Sequence, residues 1–138
     1  MGVLKTTKKL IEKNLKLLTP ILPIAWENQS FTPPADGSTY LRCNLQIGKP
    51  DDRIFGGGYY RENATFNVYV MDRLNIGTGN ALDIAENIRT LFKKTSTFEE
   101  GSTRVQILLT PRIAGSIVTN NRLVIPISIE LVIENLVE

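Results

Sequence analysis

The sequence predicts an α+β domain: a single-layer, mostly antiparallel sheet of four to five strands with two amphipathic helices packed on one face. Two patterns carry that expectation. Apolar residues recur at three- and four-residue steps in two segments, as in a helix with one buried side, and alternate with polar residues in longer segments, as in half-buried strands. Their order is helix, strand, strand, strand, helix, strand, strand, which lets two helices cover one side of a sheet. A chain of 138 residues reads as one domain over 1–138, long enough to bury its own core.

Residues 4–18 set Leu4, Thr7, Ile11, Leu15 and Leu18 on one helical stripe, with lysines over much of the remainder and Glu12 four residues before Lys16. Pro20 ends the helix. A stripe this short and leucine-rich is expected to pack on the domain's own sheet, lysine stems covering its flanks, in preference to a membrane surface. Residues 21–26 form a short strand candidate weakened by Pro23. Over residues 40–47, Leu41, Cys43, Leu45 and Ile47 share one face, and Tyr40, Arg42, Asn44 and Gln46 the other. Residues 48–58 read as a long loop, followed by a long strand over 59–71 and a turn at 75–79. The second helix is expected over 80–94 with the stripe Ala81, Leu82, Ala85, Ile88, Leu91 and Phe92, and with Lys93 and Lys94 suiting its C-terminal end. The polar segment 95–102 reads as a connection, Val105, Ile107 and Leu109 mark a strand that stops at Pro111, and residues 111–121 read as a second long loop. The last strand, over 122–133, turns Leu123, Ile125, Ile127, Ile129, Leu131 and Ile133 to one face and Arg122, Ser128, Glu130 and Glu134 to the other. Because Pro126 has no N–H for the ladder, this strand is expected at a sheet edge or with a bulge there.

Composition excludes several function classes. The chain has no histidine, which removes the commonest general base and metal ligand. Its one cysteine, Cys43, excludes an intramolecular disulfide and a cysteine metal cluster, fits a reducing cytoplasm, and on an apolar strand face behaves as a small hydrophobe. A net charge of +2 gives no basic excess typical of dedicated nucleic-acid binders, and no apolar run approaches the length that spans a bilayer, so a soluble protein without membrane contact is expected. The acid pairs Asp51–Asp52 and Glu99–Glu100 are sequence neighbours that point apart and solvate well. Gly77 and Gly79 before a helix resemble part of a dinucleotide-binding turn, but Leu82 stands where a third glycine is needed, so a capping turn is the better reading. Gly56, Gly57 and Gly58 lack the Lys-Ser/Thr continuation of a phosphate loop, and Tyr59, Tyr60, Arg61 and Tyr69 match no RNA-recognition signature. No catalytic, cofactor-binding or metal-binding residues are expected.

The most specific signal lies in the apolar-Trp-Glu-Asn segment Ile24, Ala25, Trp26, Glu27, Asn28, followed by Phe31, Thr32, Pro33, Pro34 and then Tyr40, Leu41, Arg42. The prolines fix their own φ and push their predecessors toward extended backbone, Asp36-Gly37 supplies a turn, and the Asn28 side chain can bond local backbone to close the bend. This reads as a rigid corner, in which Trp26 is either a core or hinge anchor or a direct partner contact. Together with Arg61 before a long strand, Gly77 and Gly79 opening a helix, and Val124, Pro126 and Ser128 in the closing strand, it resembles the tail terminator-like proteins of long-tailed bacteriophages over nearly the whole chain.

The resemblance implies a structural virion protein, not an enzyme. It implies a homo-oligomeric, hexameric ring that caps the tail tube at its head-proximal end, stops tube growth and provides the joint to the head connector or neck protein. Partners would be copies of itself, the tail tube protein and the connector, with DNA only passing through the ring lumen. The location would be the virion, and the host cytoplasm during assembly. Another neck or minor structural component, and a small nucleic-acid-binding regulatory domain, are the alternatives. Interaction surfaces are expected at the two long loops, with Arg53, Ile54, Phe55 and Arg112 as contact side chains. The first helix carries Lys5, Lys8, Lys9, Lys13 and Lys16 against Glu12, while the last strand carries Glu130 and Glu134, so pairing of Lys9 and Lys13 with those acids between subunits is one way to favour ring closure.

Overall fold

The structure, a computed structural model, describes residues 2–19, 21–51, 60–119 and 121–135. Its elements run α1 (Val3–Leu15), β1 (Ile24–Ala25), β2 (Tyr40–Asp51), β3 (Tyr60–Asp72), α2 (Gly79–Leu91), β4 (Thr97–Glu100), β5 (Thr103–Ile107), β6 (Arg112–Ile113), β7 (Ile117–Thr119) and β8 (Arg122–Asn135). This is the expected α+β architecture, but the sheet has eight strands where four to five were read. Its order is β1-β2-β3-β8-β5-β4, with β6 and β7 also on β8, and it is mixed because β1 joins β2 in parallel.

Both helices cover one face. From α1, Ile11 and Leu15 are fully buried, as is the threonine Thr7, whose hydroxyl donates to Val3 O at 2.9 Å. The helix stops at Leu15, and residues 16–18 continue in a tighter i→i+3 turn that still buries Leu18. Leu4 leaves the expected stripe and is exposed. From α2, Ala81, Ile84, Ala85 and Ile88 are buried, with Phe92 just beyond the end, so Ile84 and not Leu82 completes the stripe. These residues meet Leu41 and Cys43 of β2, Phe66, Val68 and Val70 of β3, Val105 and Ile107 of β5, and Ile125 to Ile133 at alternate positions of β8 in one core. Phe92 sits between Phe66 and Phe98, with ring centroids 5.9 and 6.4 Å away. Each large side chain buried there contributes about 1.5–3 kcal/mol.

The strand expected at an edge or with a bulge at Pro126 is central and keeps its register against β3. β8 pairs with β3 from Leu123 to Asn135 in unbroken register, Tyr69 opposite Pro126. Its other side receives β5, β6 and β7 in succession. Residues 103–119 therefore act as one interrupted outer strand. Ile107 opposes Leu131 and Arg112 opposes Ser128, so residues 108–111 face only 129–130; Ile113 opposes Ile127 and Ile117 opposes Val124, so 114–116 face only 125–126. Pro126 lies in that second gap. Its carbonyl accepts from Ala114 N at 2.9 Å, and since the N–H and C=O of one residue point the same way in an antiparallel strand, its missing donor faces the interruption. The stretch read as a loop over 111–121 thus holds two short ladders, β6 and β7, and polar residues 95–102 hold β4, paired with β5.

β2 carries its own irregularity. Ile47 opposes Ala64 and Pro50 opposes Glu62, leaving 48–49 against Asn63 alone, which is a bulge. A Cβ on Gly48 would stand 2.5 Å from Asn63 O, so only glycine fits at this approach.

Candidate functional site

The corner segment runs along the sheet edge at β1 and reaches both faces: Ile24 and Trp26 pack on the helix-covered core, Ala25 and Phe31 on the other side. β1 aligns Ile24 with Leu41, and Leu41 N donates to Pro23 O at 2.9 Å. Where β1 ends, Glu27 Oε1 accepts from Leu45 N at 3.1 Å, so a side chain continues the ladder. Trp26 is half-buried against the main core with Lys16 Nζ 5.5 Å from its ring centroid, an intrachain anchor. The bend is made by Asn28 through its own backbone, φ 57°, with Gln29 N donating to Trp26 O. Phe31 then folds onto Tyr40 at 5.0 Å, closing a second small cluster with Ala25, Met71 and Val124. Pro33 is exposed, whereas Pro34 O accepts from Gly37 N across the Asp36-Gly37 turn. Asp36 Oδ1 accepts from the Ser38 hydroxyl and N–H, which holds its carboxyl below the usual carboxylate range.

Arg122, on the strand face opposite the apolar row of β8, locks this corner. It is 8% exposed; Nη1 donates to Gly37 O at 3.0 Å, Ser38 O at 2.7 Å and Met71 O at 3.5 Å, Nη2 donates to Pro34 O at 3.3 Å, and the guanidinium stacks 5.0 Å from the Tyr40 ring centroid. Beside it Asp72, 1% exposed, accepts from the Thr39 hydroxyl at 2.7 Å, Arg73 N at 2.8 Å and the Asn80 amide at 3.3 Å. Gly77, φ 78°, and Gly79 open α2 next to this cluster. One hint of the second layer was present in the sequence: Tyr40, Met71 and Val124 are apolar on the strand sides otherwise carrying polar residues.

The structure thus brings Phe31 and Tyr40 together, seats Trp26 on the main core and Pro34 in the turn, and leaves Asn28, Pro33 and, on β2, Arg42 exposed. Arg61 is exposed at the far end of β3, opposite Glu134. Arg53, Ile54 and Phe55 lie outside the described residues. Arg112 is exposed on β6. Lys9 bonds Glu100 of its own chain at 3.3 Å, while Lys13 is exposed. Of the two acids expected to meet them from a neighbour, Glu130 is exposed, but Glu134 is 6% exposed and bonded to Arg104 at 3.1 Å, which leaves it no face for another subunit.

The surface holds shallow grooves. One, of about 390 Å³, runs among Lys5, Lys8, Lys9, Glu12, Lys13 and Lys16. Another, of about 250 Å³, has an apolar floor of Leu10, Leu17 and Phe98 bordered by Lys13 and Glu99. Among the described residues no group of three or more His, Cys, Asp or Glu is placed to hold a metal ion, and no helix is long and apolar enough to cross a membrane. Cys43 is buried and its thiol is pushed up to about 12 by burial, then by Glu12.

Compared with known proteins, residues 6–131 match the model of a family described as phage tail terminator protein. Chains of solved structures match as well; one, 25% identical, superposes with a TM-score of 0.78 over 96% of this chain and 96% of that one. No curated protein matches.

Proposed function

Because the chain belongs to the phage tail terminator protein family, we propose that it forms a ring on the head-proximal end of the phage tail tube, stops tube polymerisation and presents the joint for the head connector. The observation that carries this reading is the family match across residues 6–131, nearly the whole domain. The geometry supports it in kind: the signature residues build a clamped corner. Binding by shape needs surfaces held in fixed relation, and Arg122 and Asp72 tie the corner, β3 and the start of α2 into one body. The proposed partners are copies of the chain, the tail tube protein and the connector, with DNA passing through the lumen. Assembly would take place in the host cytoplasm before incorporation at the tail's upper end.

Electron microscopy of the purified protein, alone and mixed with tail tubes, tests this. Rings seated on one end of each tube, and tubes that no longer elongate, are the expected result; tubes that grow on unhindered would sink it. The lysine row on α1 favours one other reading, a small nucleic-acid-binding domain. Duplex binding whose affinity falls steeply with salt would support that rival.

A further inference from the structure

We propose that the outer face of α1 docks onto the outer face of α2 of a second copy of the chain, making the head-to-tail contact of the ring; the inference rests on the ring reading above. The two helices carry opposite charge. Between Lys5 and Lys16 there are five lysines and one glutamate, so the remainder of a chain with net charge +2 is acidic. On α2 the exposed charged residues are Asp83 and Glu86, because Arg89 turns inward and donates to Pro111 O at 3.2 Å.

Each face also exposes an apolar residue beside its charges. Just beyond the end of α1, Leu17 is 65% exposed and lines, with Leu10 and Phe98, the groove bordered by Lys13 and Glu99. On α2, Leu82 is 41% exposed, next in sequence to Asp83 and one turn before Glu86. Seating Leu82 in that groove would bring Glu86 and Asp83 toward Lys13, an apolar anchor beside a charge pair, while Lys9 stays with Glu100 of its own chain. DNA has phosphates for the lysines but nothing for the apolar floor. Within one chain the helices are held side by side, Asn14 Nδ2 donating to Leu91 O at 2.8 Å, so every copy offers a basic helix and an acidic one in fixed relation. A contact between unlike faces leaves one of each free, and such contacts propagate until the rotation closes a ring.

The test is charge reversal with compensation, using the full chain alone and on tail tubes and reading assembled mass by mass photometry. Lys13→Glu and Asp83→Lys/Glu86→Lys should each reduce the assembled fraction on the order of tenfold, and combining them should restore most of it. Leu17→Asp should abolish assembly while leaving the monomer folded, since Leu17 is mostly exposed, and Glu130→Lys should leave assembly intact. Rings that form normally in the Lys13, Leu17 and Asp83/Glu86 variants would overturn the docking while leaving the ring reading standing. Absence of rings with the unaltered chain, alone and on tubes, would remove both.

Discussion

Arg122 shows how much one side chain can organise. Its fork donates to three carbonyls of the corner and one of β3, and a buried carbonyl that loses a donor costs its desolvation. Arg122→Met should destabilise the fold by about 3 kcal/mol or more in urea unfolding, with Arg122→Lys recovering little because an ammonium cannot reach several carbonyls from one plane. Cys43 is the opposite case, a potentially reactive group made inert. A thiol raised to about 12 stays protonated at neutral pH, so alkylating reagents should leave the native protein unlabelled and react only after unfolding. The sign for stability follows from the same shift: with the folded thiol titrating above its ordinary value of 9.0, the native state binds the extra proton between the two, and this contribution is lost as pH climbs from about 9 to 12.

At the level of elements, β8 separates what periodicity reveals from what it hides. Its alternation made the buried face readable residue by residue, because Ile125, Ile127, Ile129, Leu131 and Ile133 all enter the core. Its place in the sheet was not readable, since a proline excludes a central position only where its missing donor would meet a partner. At Pro126 it meets the interruption between β6 and β7. Pro126→Ala should therefore cost only about 0.4–1 kcal/mol, the unfolded-chain entropy that proline had removed, by chemical denaturation. Gly48→Ala should cost more, about 1–3 kcal/mol, because the added methyl meets backbone at the β2 bulge. The strands β4, β6 and β7 escaped notice for a related reason: they are two to four residues long, mostly exposed, and exist only because β8 and β5 supply a template. On α2, Leu82 and Ile84 are equally apolar, and only the direction from which the sheet arrives decides which is buried.

The molecule as a whole is a sheet with two differently dressed sides, one sealed by helices and the other closed at one end by the corner and polar elsewhere. The corner's residue types were recognisable as a unit in the sequence, but the clamp beneath it was not, because Arg122 lies more than eighty residues away and reads locally as a strand's polar side. A body fixed by such long-range ties should unfold in a single cooperative transition, with corner and core lost together; a separate early transition reported by Trp26 fluorescence would show otherwise. Raised salt should loosen assembled rings more than it loosens the fold, since the proposed contacts are exposed charges while the core is apolar.

The rims of the sheet carry one more consequence. The run beyond β1 is stopped by the Glu27 carboxylate and then by the bulge at Gly48, the opposite rim by two kinks in residues 103–119, and β4 ends in Glu99 and Glu100. None of these borders offers a long flat row of main-chain groups for a stranger to zip onto. Concentrated stocks should consequently stay clear and free of thioflavin-positive fibres for as long as they are kept, and Glu27→Val, which uncovers the Leu45 amide and adds an apolar branch beside it, is the change that should first turn such a stock cloudy.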